Sequence, residues 1–73
     1  MTSAQVRAAR GLLNWTVRDL AEKAGVHRNT ITNIETERYA GDPETLRSIQ
    51  RALEKAGVEF TNGKRPGVRM RTR

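Results

Sequence analysis

Apolar residues recur along this chain first at the period of a helix and then, past Gly57, at the period of a strand. Val6, Ala9 and Leu13 fall at i, i+3 and i+7, and Arg10 lies on the same stripe. Ahead of them Thr2-Ser-Ala-Gln5 has the form of a capping box, a hydroxyl taking an orphan N–H and an amide reaching back, so a first helix begins there. Gly11 inside it costs about 1 kcal/mol relative to Ala, which marks either early fraying or the close approach of another backbone. Trp15, the sole tryptophan, is expected in the core as a staple across the next helix start. Thr16-Val-Arg-Asp19 repeats the capping pattern with Asp in the first turn, where the helix dipole favours an acid.

The second helix carries Leu20, Ala21 and Ala24 on one side and meets Gly25, the residue type that a left-handed C-terminus prefers. Val26 pins the turn, and His27 takes the N-cap place of a third helix. On that helix Ile31 and Ile34 face one way, while Arg28, Asn29, Thr32, Asn33 and Thr36 share the other. Residues 36–41 read as an exit loop. Asp42-Pro43-Glu44 then gives a helix start of N-cap, N1 proline and first-turn acid. Leu46, Ile49, Leu53 and Ala56 make the cleanest amphipathic stripe in the chain, with Arg47, Gln50, Arg51, Glu54 and Lys55 turned to water.

Beyond Gly57 the apolar residues Val58, Phe60, Val68 and Met70 alternate with polar ones, and Asn62-Gly63 and Pro66-Gly67 mark turns between them. The pattern predicts a β-hairpin with a loop of about six residues. An isolated hairpin is marginal in water. Its apolar face is therefore expected either to cover the last helix or to meet the same hairpin of a second chain, and the sequence favours dimerisation through it.

The order A-E-K-A-G-V-x-R-x-T-I-x-x-I-E, at Ala21 to Glu35, resembles the DNA-binding helix-turn-helix of the Xre/Cro family, to which the phage lambda-type repressors belong. The likeness runs without a gap from about Val6 to Leu53. It departs at three positions: His27 stands where the family usually has Ser or Thr, Val17 where it has Gln, and Glu37 where it has Gly. The resemblance implies a mainly α fold, a lambda-repressor-like four-helix domain over residues 1–57, followed by a C-terminal β-hairpin and basic arm over 58–73. It also implies an ion pair between Arg10 and Glu35, two charges that both fall on inward faces and that would be costly to bury alone.

What the resemblance implies for function fits the side chains. The free face of the third helix holds hydrogen-bonding groups with little charge, on a rod of about 13 Å that suits a DNA major groove. Arg28 can present a two-pronged donor to guanine, Asn29 and Asn33 can pair with adenine, and Thr32 offers a hydroxyl and a methyl. These four are the expected base contacts. Thr16, Val17 and Arg18, at the start of the second helix, are expected at a phosphate; Val17 can contribute only its backbone N–H. His27, Arg38 and Tyr39 complete the expected phosphate set.

Composition narrows the partners. Fourteen Lys and Arg against eight Asp and Glu give a net charge of +6 over 73 residues, which favours a polyanion. Lys64, Arg65, Arg69, Arg71 and Arg73, against the single Glu59, place +4 of that charge past Gly57. This basic arm is expected to add phosphate affinity without sequence information. So small a chain has room for one modest core, which oligomerisation would help. There is no cysteine and one histidine, so no disulfide framework or metal cluster is expected and no cofactor is implied. Neither a transmembrane segment nor a signal peptide is legible, and a cytoplasmic protein of bacterial or phage type is expected, nucleoid-associated when bound. No triad, carboxylate pair or phosphate loop points to an enzyme. The expected function is a sequence-specific double-stranded DNA-binding regulator, a repressor acting as a homodimer on a near-palindromic operator. An antitoxin-like autoregulator that also binds a toxin or other regulatory protein stays open, as does a basic RNA-binding module, although one Trp, one Tyr and one Phe offer little base stacking.

Overall fold

In the computed structural model, which describes residues 1–71, the chain forms α1 (Ser3–Leu12), α2 (Val17–Ala24), α3 (Arg28–Glu35), α4 (Pro43–Lys55), β1 (Val58–Thr61) and β2 (Gly67–Met70). The fold is mainly α, four helices closed by a two-stranded antiparallel hairpin. Both capping boxes form: Thr2 with Gln5 opens α1, and Thr16 with Asp19 opens α2. Between α2 and α3 the chain turns through Gly25, at φ 70°. There Val26 N–H reaches Ala21 O and Gly25 N–H reaches Glu22 O, the paired bonds of a Schellman motif. A side chain at that φ would be strained, so the glycine sets the angle at which α3 leaves α2.

The core takes two apolar residues from the face of each helix that the apolar periodicity marks. Val6 and Ala9 of α1, Leu20 and Ala21 of α2, Ile31 and Ile34 of α3, and Ile49 and Leu53 of α4 are all buried. Trp15, Leu46, Phe60 and Val68 are half-buried against that cluster. Gly11 is met by nothing within 4 Å of where a Cβ would stand, so no backbone approaches it and the helix tolerates it as an exposed defect.

Pairing in the hairpin joins Val58 to Met70 and Phe60 to Val68, which puts the four apolar residues on one side, and residues 62–66 form the loop. Val58 is buried and Met70 is exposed. The sheet lies against α4, one of the two expected places, and also against α1, which the alternation did not indicate. The tie to α1 is polar: the buried Gln5 amide donates to Thr61 O and Gly67 O, at 3.0 Å each, while its Oε1 accepts from Thr2 N–H. One side chain thus caps a helix and fixes the far end of the hairpin. The outward side of the sheet carries an exposed ion pair, Arg69 to Glu59 at 2.8 Å, a class of contact worth little on its own.

Among the described residues two that are not glycine sit at positive φ, Asn14 at 57° and Glu37 at 62°. Asn tolerates that region, but Glu does so at a cost of roughly 1–2 kcal/mol. Glu37 is the position at which this chain departs from the Gly usual in the family it resembles, and its backbone adopts a φ that glycine takes without strain. Glu37→Gly should therefore raise stability, by about 0.5–1 kcal/mol once the larger freedom of unfolded Gly is subtracted. Thermal melts of the two chains measure it.

At the start of α4 the Asp42 carboxylate accepts from Thr45 N–H at 2.8 Å and from the Tyr39 hydroxyl at 3.4 Å. The Thr45 bond in particular holds Asp42 below the ordinary carboxylate range. A carboxyl that is more acidic folded than unfolded stabilises the fold above its unfolded value, and the contribution is lost as pH falls through the folded one. Asp42→Asn should thus be less stable than the parent near neutrality, and the gap should close on acidification. Melts taken across that range show whether it does.

Candidate nucleic-acid interface

The exposed side of α3 is built by what its other side must do. Ile31 and Ile34 are buried, so the helical period leaves Arg28, Asn29 and Thr32 exposed and Asn33 half-buried at the margin. Among the described residues the side chains of Arg28, Asn29, Thr32 and Asn33 make no hydrogen bond to the protein. Their donors and acceptors are committed to nothing else. The C-terminal end of the helix is held by Thr36, whose hydroxyl donates to Thr32 O at 2.8 Å.

His27 caps α3 through Nδ1, which accepts from Asn29 N–H at 3.0 Å. An Nδ1 that accepts leaves the proton of the neutral ring on Nε2. That N–H is a donor on an exposed side chain beside the helix N-terminus, the place where an anion is favoured. At α2 the Thr16 oxygen accepts from Asp19 N–H at 3.0 Å, and Asp19 returns the bond to Thr16 N–H. The Thr16 O–H remains a donor. Val17 is half-buried against the core, so its backbone N–H is the part that the helix start offers, with exposed Arg18 next to it.

Past α3 the backbone N–H groups of Arg38 and Tyr39 both reach Asn33 O, at 2.8 and 3.2 Å, which ties the exit loop to the last turn of α3. Arg38 is exposed and pairs with no carboxylate among the described residues. Tyr39 differs: its hydroxyl accepts from Asp42 N–H at 3.1 Å and faces the Asp42 carboxylate. Its first task is to hold the loop to the cap of α4, and a phosphate contact has to use what that leaves.

Rigidity of the α1–α3 frame comes from Arg10. Its Nε donates to Glu35 Oε2 and its Nη2 to Glu35 Oε1, at 2.9 Å each, and its Nη1 donates to Trp15 O at 3.1 Å. Glu35 is 6% exposed and Arg10 25%. The bond to Glu35 holds the Arg10 pKa above its already high ordinary value, so the guanidinium stays charged. Arg7 adds a bond from Nη1 to Glu35 O. One guanidinium therefore fixes the C-terminal end of α3, the end of α1 and the corner before α2.

The arm is less uniform than its charge suggests. Lys64 and Arg65 are exposed in the hairpin loop, Arg69 is paired with Glu59, and Arg71 sits at 3.5 Å from Glu54 O. Arg73 lies outside the described residues. The hairpin stands on α1 and α4, so its cations form a group of their own. Sequence reasoning missed the double role of Gln5. Its position four residues before Ala9, on the inward stripe, was the available signal.

No helix among the described residues is long and apolar enough to cross a membrane. Among those residues, too, no group of three or more His, Cys, Asp or Glu comes together as a metal site. A helix-turn-helix family model matches residues 6–60, from α1 into the first strand of the hairpin. A search of curated proteins found no match.

Proposed function

We propose, from the premise that this chain belongs to the Xre/lambda-repressor-like helix-turn-helix family, that it is a transcriptional repressor binding a near-palindromic DNA operator as a homodimer. Membership supports a DNA-binding transcriptional regulator. The observation that carries the finer reading is the face of α3, four side chains with base-pairing chemistry and no partner within the described protein. Arg28, Asn29, Thr32 and Asn33 read bases. Thr16, Val17, Arg18, His27, Arg38 and Tyr39 hold phosphates on either side, and Lys64, Arg65, Arg69, Arg71 and Arg73 add charge. The chemistry is that of a binder, with no role assigned to catalysis or a cofactor.

Selection of bound sequences from a random duplex pool tests this reading. It should return two inverted half-sites spaced by about one or two helical turns of DNA. An unstructured or RNA-only preference contradicts it.

Dimerisation through the hairpin draws on less apolar surface than four alternating residues suggest, because Val58 is buried within the chain and Phe60 and Val68 are half-buried. Met70, 40% exposed, and the free strand edges are what remains. Met70→Glu should weaken self-association at least tenfold in sedimentation equilibrium. An unchanged dimer moves the interface elsewhere.

A further inference from the structure

Away from α3, two adjoining cavities of about 270 Å³ each run between α2 and α4, and both are lined by Lys23, Ala52 and Lys55. Trp15 closes one end, and Ala24 and Arg51 line the other. We infer that this groove is a docking site for an acidic protein segment carrying an apolar anchor, a contact separate from DNA and beyond the repressor reading.

The floor and the rim point to the same occupant. Ala52 and Ala56 leave a shallow apolar floor at one end where larger residues would have filled it, with half-buried Trp15 as an indole wall, and Ala24 and Ser48 line the other end. Above that floor stand three exposed cations, and no carboxylate lines either cavity. Among the described residues Lys23, Arg51 and Lys55 make no ion pair, since the pairs formed are Arg10 with Glu35 and Arg69 with Glu59. The nearby Glu54 carboxylate is bonded to Gln50 instead. A desolvated anchor over alanine with carboxylates against lysine is the charge-complementary arrangement for an acidic amphipathic helix. From Ser48 to Ala56 the groove follows α4 for roughly 12 Å, about two turns of such a helix. A phosphate backbone needs cations but no apolar floor, and α3 lines neither cavity, so the surface fits a protein better than a second stretch of DNA.

The probe is a 16-residue peptide with leucine at i, i+4 and i+7 and glutamate on its other face, titrated into the isotope-labelled full chain. Amide shifts should concentrate at Lys23, Ala24, Arg51, Ala52 and Lys55 and at the Trp15 indole. Lys23→Gln with Lys55→Gln should lower peptide affinity at least tenfold, leave the melting temperature unchanged and keep random-duplex binding within about twofold. Lys64→Gln with Arg65→Gln, equal in net charge, should keep the peptide affinity. Equal loss in the two double variants, or equal binding of a scrambled peptide, would show attraction to net charge alone and overturn the site. A tenfold loss of duplex binding by the Lys23/Lys55 variant would assign the groove to DNA and overturn it as well.

Discussion

Removing either member of the Arg10–Glu35 pair should cost the fold about 3–5 kcal/mol, the range for a buried ion pair broken on one side. The expectation rests on asymmetry of burial. Glu35 is 6% exposed and both of its oxygens are satisfied by one guanidinium, so Arg10→Ala leaves a carboxylate with neither water nor cation. Glu35→Ala strands a guanidinium that keeps its bond to Trp15 O and is 25% exposed, and it should fall at the lower end. For a domain of this size each kcal/mol lowers the melting temperature by roughly 4–8 °C. Either variant should then be largely unfolded near physiological temperature. Denaturant melts give the number, and a change within about 0.5 kcal/mol would mean that the pair acts as a solvated surface contact. The double change Arg10→Met with Glu35→Leu is the informative control: it should recover part of the loss, because an apolar pair carries no stranded charge.

The second large effect separates two kinds of DNA contact. Asn33→Ala should cost about 1–3 kcal/mol on the selected operator and little on random duplex, since an amide that pairs with adenine is silent where no such base is in register. Arg38→Ala should weaken both duplexes alike and flatten the dependence of log affinity on log salt by about one unit, the loss of one phosphate contact. Asn33 also accepts two loop N–H bonds, but through its backbone carbonyl. The alanine change leaves that frame in place. Titrations of each variant on both duplexes at two salt concentrations distinguish the outcomes, and parallel losses for Asn33→Ala would remove it from the base-reading set.

Much of this was legible in the sequence because the signals are local. Capping residues at Thr2, Thr16 and Asp42, the C-terminal Gly25 and the stripes of Ile and Leu each depend on neighbours within one or two turns, and α1, α2 and α4 begin, and α2 ends, where those signals stand. The alternation after Gly57 likewise showed the hairpin and its shared apolar side. It could not show which helix that side covers, since period two defines a face and not its neighbour. Gln5 illustrates the limit: its local bond to Thr2 follows from spacing of three, whereas its bonds to Thr61 O and Gly67 O span 56 and 62 residues. Tyr39 was read for its chemistry, and its hydroxyl turns out to serve Asp42 first. Glu37 shows the reverse case, in which a departure from a resembled pattern marks a residue held in a conformation that glycine prefers.

The central claim is that the polar face of α3 reads base sequence, and the most direct test is the ratio of operator to random-duplex affinity in a chain with Arg28, Asn29, Thr32 and Asn33 all changed to Ala. None of the four side chains is fully buried or bonded to the described protein, and Ala favours a helix, so the fold should persist and its melt confirms that. If α3 reads bases, the ratio collapses from the roughly 10³ or more of a specific binder to near one, while random-duplex binding drops only by the one phosphate-capable charge lost with Arg28. A folded quadruple variant that still prefers the operator by its original factor would contradict the claim.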